Sequence, residues 1–279
     1  MTVSTTSPLV TTEWLAERLD DSGVAVAEVD ENPDLYEDGH IRGAVKLHWK
    51  DDLQDPLVRD VVPKDQFERL LGDRGISHDS TVVLYGDKNN WFAAYAYWYL
   101  KLFRHQNVRL LDGGRQKWID EGRELTIVLP TPARVTYTAG GKDEAIRVRR
   151  DEVLARLRDP GVVLVDVRSP QEFAGELVAP PGYEQEGASR AGHIPGARSI
   201  PWSTALRDDG TFRDLEELRE LYTAKGVTPD REIRAYCRIG ERSAHTWFVL
   251  RELLGYEHVR NYDGSWTEWG NLVDVPIER

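Results

Sequence analysis

The chain has 279 residues, 40% hydrophobic and 30% charged, enough for two cores of about 140 residues each and too apolar for an intrinsically disordered protein. A formal net charge of −12 argues against nucleic acid or anionic lipid as a partner, and no apolar run reaches the roughly 18 residues that a membrane helix needs. The opening residues Met1 to Thr6 lack a basic and an apolar signal region, so a cytosolic protein is expected. A single cysteine and seven scattered histidines leave no intrachain disulfide and no paired spacing for zinc, and neither a metal nor a cofactor is expected.

In chain order, Val24-Ala25-Val26-Ala27-Glu28-Val29 is a short β-rich run, followed by Gly39-His40-Ile41-Arg42-Gly43-Ala44-Val45-Lys46-Leu47-His48-Trp49. Next come a strand over Thr81-Val82-Val83-Leu84-Tyr85, a loop, a helix-length apolar segment and a strand ending Asp112-Gly113, with Trp118 beyond it. Pro130-Thr131-Pro132-Ala133 and Gly140-Gly141-Lys142-Asp143 then read as a connector.

The same order returns. Val162-Val163-Leu164-Val165-Asp166-Val167 precedes Gly192-His193-Ile194-Pro195-Gly196-Ala197-Arg198-Ser199-Ile200-Pro201-Trp202, which matches the earlier motif at six of eleven positions. Glu232-Ile233-Arg234-Ala235-Tyr236 matches the Thr81 strand, and Val259 to Gly264 matches Val108 to Gly113, with Trp269 at the place of Trp118. The pattern is a tandem duplication. It divides the chain into a domain over 10–129, a connector over 130–146 and a domain over 147–279. Strands alternating with helices predict an α/β fold, each half a parallel sheet flanked by helices. The segment Leu177 to Arg190 has no counterpart of similar length in the first half and reads as an irregular surface loop.

The chemistry concentrates in Tyr236-Cys237-Arg238-Ile239-Gly240-Glu241-Arg242-Ser243, between a strand and a helix expected from Ala244 to Leu254, ending at Gly255. Backbone N–H groups at such a turn converge on one point and form a positive concavity. A thiolate is the nucleophilic form of cysteine, and a free thiol is mostly protonated at neutral pH. Arg238 and Arg242 would favour the thiolate and attract an anionic sulfur donor. A purely structural, buried Cys237 would sit oddly in so charged a run, because unpaired buried arginine is costly.

These segments resemble the rhodanese family, specifically two-domain thiosulfate sulfurtransferases with a Cys-Arg-Ile-Gly-Glu-Arg-Ser loop, known from actinobacteria. The resemblance covers nearly the whole chain. It rests on Asp166-Val167-Arg168-Ser169-Pro170-Gln171-Glu172-Phe173, on Gly192 to Ala197, on the Cys237 to Ser243 loop and on Asp263-Gly264-Ser265-Trp266. It implies ping-pong transfer of the outer sulfur of thiosulfate through a persulfide on Cys237, with release of sulfite and delivery to a thiophilic acceptor such as cyanide. A thiol or a thioredoxin-type protein is an alternative acceptor.

The resemblance also implies donor binding by Arg238, Arg242 and the loop residues Ile239, Gly240, Glu241 and Ser243. Trp266 and Arg168 are candidates for the pocket wall, Arg168 being read rather as the partner of Glu172 or Asp166. The repeated His40 and His193 suggest structural hydrogen bonds, and the repeated Trp49 and Trp202 suggest shared core. The mercaptopyruvate-using branch carries Cys-Gly-Ser-Gly here, so Arg238 favours thiosulfate. The first half has Tyr85-Gly86-Asp87-Lys88-Asn89-Asn90-Trp91 at the loop position, without a thiol, and is implied to shape the pocket. Two other classes compete. A related phosphatase class separates Cys and Arg by five residues, whereas four separate Cys237 from Arg242; a non-enzymatic binding module would not need the thiol and both arginines.

Overall fold

A computed structural model describes residues 7–183 and 187–279. It divides into two compact units, one of residues 1–143 and 208–212, the other of 144–207 and 213–279. Each is an α/β fold with one wholly parallel sheet, as the duplication predicts.

In the first unit, strands β1 (Leu9–Val10), β2 (Val24–Glu28), β3 (Val45–Lys46), β4 (Thr81–Tyr85) and β5 (Val108–Leu111) lie in the order β1-β5-β4-β2-β3. The helices are α1 (Thr12–Ala16), α2 (Leu35–Asp38), α3 (Lys64–Asp73), α4 (Asp87–Leu102) and α5 (Gly114–Asp120). The central strands are apolar because helices cover both faces of the sheet. Helix α3 is amphipathic, with Phe67, Leu71 and Gly72 turned inward.

The segment expected as a connector is bound along α3 and the end of α4. Val135 N–H donates to the Gly72 carbonyl at 3.1 Å, Ala139 N–H to Glu68 Oε1 at 2.9 Å and Gly140 N–H to the Phe103 carbonyl at 3.0 Å. The first unit also takes in residues 208–212 from the second half of the sequence. Phe212 N–H donates to Asp112 Oδ1 at 3.0 Å, and Lys117 Nζ meets Asp209 Oδ2 at 3.0 Å.

The second unit begins with α6 (Arg150–Ala155), β6 (Val162–Asp166), α7 (Pro170–Phe173) and β7 (Arg198–Ser199). It continues with α8 (Leu215–Thr223), β8 (Glu232–Tyr236), α9 (Glu241–Trp247), β9 (Val259–Asn261) and α10 (Ser265–Trp269), and its sheet order is β7-β6-β8-β9. The counterpart of β1 is reduced to one parallel bridge between Arg147 and Asn261. Helix α7 starts on a capping box: Ser169 Oγ accepts from Glu172 N–H at 3.2 Å, and Glu172 Oε2 accepts from Ser169 N–H at 3.0 Å, with Pro170 in its first turn.

The repeated histidines take matching places. His40 Nδ1 lies 2.9 Å from the Tyr36 carbonyl with its ring stacked on Tyr36, and His193 Nδ1 lies 2.8 Å from the Phe173 carbonyl with its ring stacked on Phe173. Trp49 and Trp202, expected in the core, are half-buried. Their rings pack against Phe92 and His245. No helix among the described residues is long and apolar enough to cross a membrane.

Candidate active site

The carboxyl end of β8 delivers Cys237 into a four-residue loop, and α9 begins at Glu241, three residues earlier than the sequence suggests. The helix continues as a π-helical stretch over Phe248–Leu253 and stops before Gly255, whose φ is +72°. Every residue of α9 is buried. The loop is thus clamped between a central strand and an inner helix, which is the geometry that aims backbone N–H groups at one point.

Cys237 is buried, and Gly240 N–H donates to its Sγ at 3.0 Å. Gly240 adopts φ +106°, and a Cβ there would lie 2.8 Å from the Asp263 carbonyl oxygen and 2.9 Å from its Cα. Only glycine suits this position. Its carbonyl accepts from Asn261 Nδ2 at 3.1 Å, and Ser243 Oγ lies 2.7 Å from Asn261 Oδ1. Ser243, expected to touch the donor, therefore braces the loop from within, and Ile239 and Glu241 are buried beside it.

Behind the thiol, Ser265 Oγ accepts from Cys237 N–H at 3.0 Å and donates to the Tyr262 carbonyl at 2.7 Å, while lying 4.0 Å from Sγ. Ser265 holds φ +53°, a left-handed conformation that costs a non-glycine residue about 1 kcal/mol or more. Its repeat partner Gly114 has φ +59°. Ser265 has no assigned role in the sequence, and its signal was there: a serine standing where the other half keeps glycine.

The cations of the site are held in different ways. Arg242 makes a two-pronged pair with Glu172, Nη1 to Oε2 and Nη2 to Oε1, both 2.9 Å, with side-chain exposures of 6% and 0%. Burial pulls the Arg242 pKa down, but the Glu172 carboxylate overrides it and, with Cys237 nearby, holds the pKa above its ordinary value. Burial pushes Glu172 up, and Arg242 outweighs it, so Glu172 stays below the usual carboxylate range. Arg168 pairs with Asp166 (Nε to Oδ1 3.0 Å, Nη2 to Oδ2 2.6 Å), donates from Nη2 to the Gly192 carbonyl at 2.7 Å, and lies 4.5 Å over the Trp266 ring.

Both candidates for the pocket wall, Arg168 and Trp266, are thus fully buried. Trp266 packs in a cluster with Val148, Ile194, Tyr236 and Trp269, and its Nε1 donates to the Arg190 carbonyl at 3.0 Å. Arg238 is 3% exposed. It donates from Nη1 to the Tyr183 carbonyl at 2.9 Å and stacks its guanidinium 4.8 Å from the Tyr183 ring centroid.

The first unit shows the same turn without a thiol. Gly86 N–H donates to Asn90 Oδ1 at 3.0 Å, and Asn90 Nδ2 donates to the Leu111 carbonyl at 2.6 Å, so Asn90 performs there the two hydrogen bonds that Ser265 performs around Cys237. Lys88, Asn89 and Asn90 run left-handed, with φ from 47° to 62°, before α4 proper begins. A Cβ at Gly86 would collide with the Val29 carbonyl oxygen. This loop is filled by its own side chain and has no room for a cysteine.

A fold of two such units, one presenting a cysteine in a strand–loop–helix turn, meets its match in known families. The rhodanese-like domain matches this chain twice, over residues 11–121 and 149–272, and the chain belongs to that family. It is 57% identical over 270 residues to a protein of Saccharopolyspora erythraea named "Putative thiosulfate sulfurtransferase", covering 97% of this chain and 95% of that one. It is 56% identical over 274 residues to the sulfur carrier protein TtuD of Thermus thermophilus, with 97% and 96% covered. The solved anaerobic ergothioneine biosynthesis enzyme of Chlorobium limicola, in complex with trimethyl histidine, has TM-score 0.83 and 26% identity, over 97% of this chain and 70% of that one. A structure of EanB bearing a cysteine persulfide, in a tetrahedral intermediate state with ergothioneine, has TM-score 0.85 and 25% identity over the same shares.

Proposed function

We propose that this chain is a thiosulfate sulfurtransferase with its catalytic domain over 147–279, a domain without the catalytic cysteine over 10–129 and a connector over 130–146. The observation that carries the reading is the Gly240 N–H donating to Cys237 Sγ at 3.0 Å in a strand–loop–helix turn whose helix places the buried Arg242 in its first turn. In the first half-reaction, the Cys237 thiolate attacks the outer sulfur of thiosulfate. The new S–S bond forms as the old one breaks, and sulfite leaves with the bonding electron pair. In the second, an acceptor such as cyanide attacks the terminal sulfur, leaves as thiocyanate and returns the thiolate. Fixed donors that need no rearrangement as charge moves onto sulfur favour both steps.

Arg238 supplies the positive charge that draws in the dianion and supports thiosulfate over mercaptopyruvate as donor, while Arg242, its charge balanced by Glu172, helps to shape the site around the thiol. The relative named a thiosulfate sulfurtransferase supports the same reading. A second reading has a specific observation behind it: a relative of similar identity is named a sulfur carrier. A persulfide on Cys237 is the common intermediate, and a thiol or a thioredoxin-type protein then replaces cyanide as acceptor. A tandem binding module without catalysis is disfavoured, since the loop retains both a thiol and a hydrogen bond to it.

The test is steady-state kinetics with thiosulfate and cyanide varied together. A persulfide intermediate gives parallel double-reciprocal lines, and Cys237→Ser gives no thiocyanate. Converging lines, or turnover by Cys237→Ser, would sink the reading.

A further inference from the structure

We propose that Tyr183 is a positioning residue for Arg238, so that the turn Pro180 to Tyr183 sets how strongly the site binds an anionic sulfur donor. The inference deepens the function proposed above and rests on it. Three observations and one physical argument support it. Arg238 is almost wholly buried, yet its guanidinium is gripped by a residue 55 positions earlier, through a ring contact at 4.8 Å and a carbonyl hydrogen bond at 2.9 Å. Tyr183 belongs to the segment without a first-half counterpart, and only the half with the thiol has it.

The turn that presents Tyr183 is itself stiff. Tyr183 N–H donates to the Pro180 carbonyl at 3.1 Å, Pro181 occupies the second position and Gly182 the third with φ +88°. That is the arrangement of a type II turn, in which proline presets one φ and glycine supplies the positive one. Finally, an arginine side chain has about 2 kcal/mol of rotamer entropy to lose on being fixed. A stack and an acceptor already in place impose that loss before the donor arrives, which is how preorganisation raises affinity. The contact is expected to act on binding, because it fixes the cation before the donor arrives.

The experiment compares Tyr183→Ala, Tyr183→Phe, Arg238→Gly and the double variant Tyr183→Ala/Arg238→Gly in thiosulfate titrations at saturating acceptor. Tyr183→Ala is expected to raise KM for thiosulfate about three- to tenfold, the range open to a cation–aromatic contact, with kcat within about twofold. Tyr183→Phe, which keeps the ring, is expected to restore the KM. In the Arg238→Gly background the alanine change is expected to add nothing, because its effect runs through the guanidinium.

An unchanged KM in Tyr183→Ala, equal KM values for the alanine and phenylalanine variants, or additive effects in the double variant would overturn the inference. If Tyr183→Ala fails to fold, Gly182→Val, which breaks the turn without altering Tyr183, is expected to raise the KM in the same way, and a wild-type KM there overturns it. Failure of the wild-type protein to turn over thiosulfate at all would instead strike at the proposed function.

Discussion

Removing the carboxylate of Glu172 tests the electrostatic design of the loop. Glu172 is fully buried, bonded to Arg242 through two contacts of 2.9 Å, and also caps α7 through Ser169 N–H. In Glu172→Met the guanidinium loses its counter-charge where water cannot replace it. Breaking a buried pair from one side costs about 3–5 kcal/mol. At about 3–4 °C per kcal/mol for a unit of this size, the melting transition of the second unit falls by about 10–20 °C. The double variant Glu172→Met/Arg242→Met removes both charges and is expected to melt above Glu172→Met alone. The assay is calorimetry of the full chain. A loss in Glu172→Met below about 1 kcal/mol, the size of an exposed pair, or a double variant less stable than the single one, would refute the reasoning.

Three further outcomes follow from the geometry. Gly240→Ala places a Cβ 2.8 Å from the Asp263 carbonyl at φ +106° and turns the N–H away from Sγ; sulfur loading of Cys237 measured by rapid quench is expected to slow about tenfold or more, and a wild-type rate would contradict the role given to that N–H. Gly86→Cys in the Cys237→Ser background is expected to take up no sulfur in mass spectrometry, because Asn90 fills that loop and a Cβ at position 86 meets the Val29 carbonyl; loading there would contradict the account of the first unit. Asp30 is pushed up to about 8 by burial and by the neighbouring Glu28 carboxylate. Its proton is bound more tightly folded than unfolded, so its stabilising contribution is whole below the ordinary value of 3.8 and is lost as pH rises toward about 8. Burial moves Glu28 and Asp87 upward too. Melting temperatures across that window are expected to fall with pH in the wild type and to flatten in Asp30→Asn; parallel curves would refute it.

The duplication made the fold legible: parallel strands and their order of appearance follow from the two copies of the Gly-His-Ile motif and the apolar runs before them. What the repeat concealed is where the copies trade roles. At the end of the first long strand, Glu28 pairs with Arg115 at 2.6 Å in one unit, whereas Asp166 pairs with Arg168 in the other and Trp266 stands at the place of Arg115. The charge balance is kept, but the cation comes from a different element. The local sequence allows either pairing, so only the packed structure decides it.

The candidate site was legible to the extent that its chemistry is local. Cys237 and its flanking arginines lie within six consecutive residues. Their partners do not: Glu172 is 70 residues from Arg242 and Tyr183 is 55 from Arg238, and no periodicity links residues so far apart. Helix α9 starts three residues before the position that the sequence predicts, because Glu241, Arg242 and Ser243 are polar and read as loop. All three are buried in the helix's first turn, with Arg242 neutralised by Glu172 and Ser243 bonded to Asn261. A polar first turn is admissible in a core once its partners are supplied from elsewhere.

The central claim is that Cys237 carries sulfur as a persulfide. Intact mass spectrometry after incubation with thiosulfate and desalting tests it most directly. The account predicts that the wild-type chain gains the mass of one sulfur atom, that cyanide removes it, and that Cys237→Ser gains none. A wild-type chain with no added sulfur, or a Cys237→Ser chain with as much, would contradict it.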